Sequence, residues 1–306
     1  MDKKEFGKLV KVLRREHRDE DGRLWTQKKL ADLLGVSKRT IERIESGSLE
    51  NRLEGDKLSR LADILQLTTI ERKEFFFAAI GVNSDRITPE QTESTIILNS
   101  LIDMIGSMEL PAFIMDGYGD IIVTNMSVLG LFNIEATVIN DSSKIIAGYN
   151  FMRVVFSSDL NFPLIMGENW TQNAKDNIQF FRGISLRYRA NPYFSKLLSV
   201  LKRNQSFRYF WERTYLESEY IDIGGEHYKY NHPAYGELEY RASTSPTITK
   251  AGALYTIIYV PLTPYTTNTF RNIRILARIG GAGVQHAHRV YSVPVHCETI
   301  RVSHAR

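Results

Sequence analysis

Residues Trp25 to Gly47, WTQKKLADLLGVSKRTIERIESG, constrain the chain more than any other stretch. They read as two short helices joined by a tight turn, with Gly35 and Val36 at the corner and a second helix beginning at Ser37. Side chains advance by about 100° per residue along a helix, so Ile41 and Ile44 share one buried face. Arg39 and Arg43 point roughly the opposite way. Two arginines at i and i+4 cost an isolated helix about 0.2–0.5 kcal/mol. A polyanion facing them offsets that cost, and the pattern therefore points to a helix that reads DNA.

The surrounding sequence supplies a helical frame. Phe6, Leu9, Val10 and Leu13 recur with the spacing of a surface helix packed on a core, and the acidic, glycine-containing run Asp19 to Gly22 ends that pattern. Thr26 caps a helix carrying Leu30, Ala31, Leu33 and Leu34, and Ser37 caps the next, which stops at Ser46 and Gly47. Leu58, Leu61, Ala62 and Leu65 mark a fourth helix, and Phe75 to Phe77 lie on a fifth from about Thr69. The polar, turn-rich segment at 81–93 reads as a linker, so an all-α five-helix domain spans 1–80. Residues 1 to 44 hold 13 Lys and Arg against 8 Asp and Glu, a surplus of five, whereas the formal charge of all 306 residues is only +4. The basic character is thus concentrated where the helix pair lies.

Beyond the linker the period changes. A helix with Ile97, Leu98, Leu101, Ile102 and Ile105 leads to two β-rich runs, Ala112 to Met115 and Asp120 to Thr124, around a Gly-Tyr-Gly turn. Short helices follow near Ser127 to Phe132 and Asn150 to Phe156, then longer ones carrying Trp170 to Ile184 and Phe194 to Leu201. The runs TYLESEYIDI, EHYKYNH, GELEYRAST and ALYTIIYVPL read as strands. Hairpin, helices and antiparallel strands give an α+β domain over 94–266, and 267–306, which lacks a convincing periodicity, reads as a flexible tail.

One cysteine, Cys297, cannot form an internal disulfide, no apolar signal core opens the chain, and no apolar run reaches the ~18–20 residues that cross a bilayer. A soluble cytoplasmic protein, without membrane association, is expected.

On these residues the chain resembles two known groups. Trp25 to Gly47 resembles the phage-repressor and xenobiotic-response-element class of helix-turn-helix, carried by TQ, then LA, G, S, TI, E, and E with G two residues on. The resemblance implies that Thr26 and Gln27 approach the backbone of double-stranded DNA. Ser37, Lys38, Arg39 and Thr40 then lead the recognition helix into the major groove, with Arg43 one turn on. A bidentate contact from Arg39 to guanine is worth about 1–3 kcal/mol of discrimination. Dimers of this class match half-sites ~34–36 Å apart, so a homodimer is expected.

Residues 94–266 resemble the MmyB-like regulators, through LPAFIMDGYGDIIVTN, LGLFN, NFMRVVF, the NW at Asn169, NPYFSKLLSVL, SFRYFWERTY, HPAYGELEY and LYTIIYVPLTP. This implies a PAS-like ligand-binding domain and a lipophilic ligand such as a long-chain fatty acid, with no other cofactor required. Phe156, Trp170, Phe181, Phe207, Trp211 and Tyr215 are the aromatics expected near its pocket, with Arg187 (or Arg182) at the mouth for a carboxylate. The same aromatics also suffice to fill a core of this size.

His286, His288, His296 and Cys297 show no compact metal-ligand spacing, and no Ser-His-Asp set, GxSxG elbow, Walker loop or GxGxxG fingerprint stands in a supporting context. Neither metal binding nor catalysis is expected. The sequence favours a nucleoid-associated transcription regulator; its rival is a protein-interaction adaptor that dimerises through the second domain and no longer reads DNA.

Overall fold

The computed structural model describes residues 1–50, 53–80, 94–132, 134, 145–157, 162–213, 227–249 and 252–279. Helices α1 (Lys3–Glu16), α2 (Gln27–Leu34), α3 (Lys38–Ser46), α4 (Gly55–Ile64) and α5 (Thr69–Ala79) come first. Next are α6 (Ser94–Ser107), strands β1 (Ala112–Asp116) and β2 (Ile121–Thr124), then α7 (Met126–Leu131), α8 (Phe151–Phe156) and α9 (Phe162–Met166). Helices α10 (Trp170–Ser185), α11 (Pro192–Leu201) and α12 (Gln205–Arg213) precede β3 (His227–His232), β4 (Gly236–Thr249), β5 (Gly252–Pro261) and α13 (Pro264–Ile279). These elements fall into two compact units that are not contiguous in sequence: Gln179–Lys196 belongs with the N-terminal helices, and the chain on either side of it belongs with the sheet.

In the first unit α1, α2, α3 and α5 start where a side chain takes up a free N–H group, whereas α4, which follows Glu54, has no side-chain cap. Asp2 with Glu5 and Thr68 with Glu71 form reciprocal capping boxes, while Thr26 and Ser37 cap α2 and α3. The corner between α2 and α3 needs its glycine: Gly35 has φ 73°, a left-handed conformation costing an L-residue about 1–2 kcal/mol. The Val36 N–H then closes back on the Ala31 carbonyl at 3.0 Å, and the chain restarts at Ser37. Leu9, Val10 and Leu13 of α1, Leu30 and Leu34 of α2, Ile41 and Ile44 of α3, Leu61 of α4 and Phe75 of α5 share one core. Leu186, from a 3-10 turn at Leu186–Tyr188, is fully buried in that same core.

The second unit is built on a five-stranded antiparallel sheet of order β2-β1-β5-β4-β3. Phe113 of β1 lies opposite Thr124 on one side and Ile257 on the other, so β5 is inserted beside the N-terminal hairpin. Strand side chains alternate between faces. One set, with Ala112, Ile114, Val123 and Leu254, packs under Leu98, Ile102 and Ile105 of α6. The other set, with Phe113, Tyr230, Tyr240 and Tyr259, meets the rings of Phe132, Phe151 and Phe270. Two buried asparagines hold the hairpin in register. Asn125 Oδ1 accepts from the Val128 and Ala112 N–H groups at 3.1 and 3.2 Å, while its Nδ2 donates to the Leu110 carbonyl at 2.8 Å. Asn150 Nδ2 donates to the Tyr118 carbonyl at 3.0 Å and to Asp120 Oδ1 at 2.9 Å.

The chain beyond 266 departs from the sequence expectation. Instead of starting a flexible tail, Thr267 continues α13, which packs against α7, β4 and β5. Its buried face is Thr266, Thr269, Phe270 and Ile273, so two of the four core positions are threonines and an apolar count does not see the helix. Ile273 lies against Gly130 of α7, where a Cβ would come within 2.6 Å of its Cγ2. The expected linker at 81–93, the whole TYLESEYIDI run and the histidine-containing part of the tail lie outside the described residues.

Candidate nucleic-acid interface and ligand core

Helix α3 presents Lys38, Arg39 and Arg43 to solvent while Ile41, Ile44 and Glu45 are buried. Ser37 and Thr40 are partly committed to building the helix start: Ser37 Oγ accepts from the Thr40 N–H at 3.1 Å and shares a hydrogen bond with Thr40 Oγ1 at 2.9 Å. Lys38 Nζ pairs with Glu42 at 3.1 Å in an exposed i,i+4 bridge. Among the described residues no acidic partner stands against Arg39 or Arg43, so these two carry the uncompensated charge of the helix. Thr26 is spent on its cap, accepting from the Lys29 N–H at 3.1 Å, and Lys28 and Lys29 beside it are exposed.

Gln27 faces two ways. Its Nε2 donates to Glu45 Oε2 at 2.8 Å, which ties the start of α2 to α3. Glu45 is itself gripped by Arg14 of α1, whose Nε and Nη2 donate at 2.6 and 3.1 Å, and Arg14 also donates to the Trp25 carbonyl. Both charged side chains are buried. The orientation of the exposed arginines is thus set by a buried fork–fork pair one helix behind them. Sequence reading missed Arg14 and Glu45, although the signal was present. Val10, Leu13 and Arg14 repeat the spacing of Ile41, Ile44 and Glu45, which places each charge on a buried stripe.

In the second unit four of the predicted ligand residues come together. Phe156 meets Trp170 at 5.2 Å and Phe207 at 5.4 Å, and Phe207 stacks on Trp211 at 5.7 Å. The ring contacts continue from Trp170 to Phe162 at 6.5 Å, to Phe132 at 5.4 Å and on to Tyr259 at 5.9 Å. An apolar path of side chains therefore runs from α12 to the sheet. The other expected residues are elsewhere. Phe181 packs on Phe194 in the first unit, and Arg187, also in that unit, pairs with Glu74 of α5 at 2.9 Å. Tyr215 lies outside the described residues.

The sheet end of the path is polar, which the letters alone do not reveal. Tyr149, Tyr230, Tyr240 and Tyr259 are all buried, and burial pushes each phenol well above its ordinary range, so they remain neutral hydrogen-bond donors. Tyr230 donates to the Leu131 carbonyl at 3.0 Å, and Tyr240 and Tyr259 lie 4.9 Å apart. His232, next to Tyr235 at 4.6 Å, is held below its usual range by burial, and its Nδ1 accepts from the Ala234 N–H at 3.0 Å. No cluster of metal-ligating side chains occurs among the described residues, and none of the described helices is long and apolar enough to cross a membrane.

A basic helix on a capped helix-turn-helix frame, together with a PAS-like domain of five antiparallel strands, defines a DNA-binding regulator that carries its own ligand-binding domain. The comparisons agree: residues 15–71 match the helix-turn-helix family, and residues 99–272 match the MmyB-like transcription regulator ligand binding domain. That second match covers more than half of the chain, which belongs to the MmyB-like transcription regulators. No curated protein matches it.

Proposed function

We propose that the chain is a sequence-specific, non-catalytic transcription regulator that acts on DNA in the cytoplasm as a homodimer and senses a small lipophilic ligand, a long-chain fatty acid or a compound like it. The observation that carries the DNA half is the pair of exposed arginines, Arg39 and Arg43, on a helix locked from behind by Arg14 and Glu45. In this reading Arg39 specifies a base, Lys38 and Arg43 add base or phosphate contacts, and Ser37, Thr40, Thr26 and Gln27 flank them along the backbone. The ligand half is supported by the apolar path from Phe207 and Phe156 through Trp170 to the tyrosines. Each methylene buried along it contributes about 0.8 kcal/mol, and the Tyr240 and Tyr259 phenols at its end suit the acceptor oxygens of a carboxyl or carbonyl group, Tyr230 being engaged by the Leu131 carbonyl. Ligand biases DNA reading only through unequal affinity for two arrangements of the protein.

Two measurements test the reading. Native mass spectrometry of the purified protein, followed by solvent extraction, should reveal a stoichiometric lipophilic species; failure of any fatty acid to bind saturably would remove the lipid assignment. Selection of binding sites from a random DNA pool should yield one sequence, and Arg39→Ala should weaken it roughly 5- to 150-fold at matched salt, the equivalent of the ~1–3 kcal/mol of a bidentate guanine contact. An unchanged affinity would show that Arg39 does not read a base, and a parent that selects no sequence would favour the adaptor.

A further inference from the structure

The first unit contains a piece of chain that its helix-turn-helix does not supply. Phe181–Arg189, the end of α10 and the 3-10 turn after it, lies against α5, and three independent features fix it there. Leu186 is fully buried in the core formed by α1 to α5. Gly183 permits the close approach, because a Cβ there would overlap the Ile70 Cγ2 methyl and lie 3.1 Å from its Cβ. The third is a buried charge cluster. Glu71, wholly inaccessible to solvent, takes Arg182 Nε at 3.1 Å and Arg189 Nη2 on Oε1, while its Oε2 accepts the Thr68 N–H at 2.8 Å.

The same cluster reaches the reading helix through α1. Arg189 Nη1 bonds Glu16 Oε2 at 3.1 Å. Two residues earlier on α1, Arg14 grips Glu45 of α3. Glu71 is also the capping-box residue of α5, so the carboxylate that receives the two guanidinium groups is the one that closes the start of that helix. A buried carboxylate with two guanidinium partners has no stable half-seated state, since removal of the arginines leaves an uncompensated charge in the core. The segment is therefore either in its seat or out of it. Its chain enters from Ile178 and leaves through Leu197, both of which belong to the sheet-containing unit.

We infer that the seating of Phe181–Arg189 on α5 gates DNA reading: seated, the segment holds α1 and α5 in the arrangement that aims α3; unseated, it releases them. This rests on the regulator reading above and names its route of control.

The test uses the full-length chain in three forms besides the parent: Gly183→Ala, Arg189→Gln, and Gly183→Ala combined with Ile70→Ala. Hydrogen exchange reads the seat, and affinity for the parent's own selected DNA site reads the output. Gly183→Ala and Arg189→Gln should speed exchange in α1 and α5 while leaving α6 and the sheet protected, and should weaken DNA binding at least tenfold at matched salt. Ile70→Ala removes the Cγ2 methyl that the new Cβ would overlap and leaves only the 3.1 Å contact with the Ile70 Cβ, so it should recover most of the affinity and protection that Gly183→Ala loses. Faster exchange with undiminished affinity would reduce the segment to a structural filler and overturn the gate. So would exchange that neither variant alters, or an affinity loss that Ile70→Ala does not repair. A parent that selects no DNA sequence would sink the regulator reading itself, whereas exchange still decides whether the seat exists.

Discussion

At the scale of single residues, the charges that act are divided between those in water and those in the core. Arg39 and Arg43 were legible from sequence because an exposed like-charge pair on a helix needs a reason. Arg14 and Glu45 were legible only from their place on the apolar stripes, which the default reading of charged letters as surface hides, yet their burial is what orients the exposed pair. Removing one partner of such a pair leaves the other unpaired, so Glu45→Ala should cost about 3–5 kcal/mol of stability, measured by denaturant unfolding. Replacement of both by apolar residues of similar volume should cost far less; equal losses would show that the pair is not buried in solution. Asp176 on α10 provides a pH-dependent contrast. Burial raises its carboxyl from 3.8 to about 6, against a smaller opposing effect of the Gln172 amide at 2.7 Å. Its folded pKa exceeds its unfolded one, so its contribution favours the fold below pH 3.8 and is lost as pH rises through about 6. Asp176→Asn should therefore raise the melting temperature at pH 7 and flatten the profile between pH 4 and 6. An unaltered profile would mean that the group is solvated.

At the scale of elements, what the sequence made legible followed the visibility of apolar periodicity. Helices α1 to α4 repeat apolar and charged positions clearly, and the turn residues Gly35 and Gly47 mark the ends of α2 and α3. The β1–β2 hairpin was equally plain, because Ala112–Asp116 and Ile121–Thr124 flank a Gly-Tyr-Gly turn. Tyr230, Tyr240 and Tyr259 lie within runs that the sequence marks as strands, but a buried phenol is indistinguishable from an interfacial one in the letters alone. Helix α13 was hidden for another reason. Thr266 and Thr269 take core positions, and the Thr269 hydroxyl meets its hydrogen-bonding need within the helix, donating to the Tyr265 carbonyl at 2.9 Å. Phe270 is the anchor of that helix, fully buried against Tyr240 at 6.0 Å. Phe270→Ala should lower stability by about 3–5 kcal/mol, the range for truncating a buried phenylalanine. A loss below 1 kcal/mol in chemical denaturation would show that α13 is dispensable to the unit.

At the scale of the whole molecule, sequence families and compact units do not share boundaries. The helix-turn-helix match ends at residue 71 and the ligand-domain match begins at 99, whereas Gln179–Lys196, well inside the second match, folds with the first unit. The sequence pattern bounds the five-helix domain at 1–80 because nothing local to Glu71 announces that its counter-charges come from more than a hundred positions away. A fragment of residues 1–80 lacks Leu186 from its core and both arginines from Glu71. It should melt below the corresponding transition of the full chain. The two should also respond differently to acid. In the full chain burial alone would raise the Glu71 carboxyl, but Arg182 and Arg189 outweigh it and hold the group below its ordinary value of 4.5. Its folded pKa is depressed, so the stability it contributes is complete above pH 4.5 and disappears as pH falls through the folded value. In the fragment no guanidinium holds that carboxyl down, and this component of the acid limb should vanish. Circular dichroism melts of both proteins from pH 7 to pH 3 would decide the matter. Coincident transitions with equal acid slopes would show that the five helices are complete by themselves.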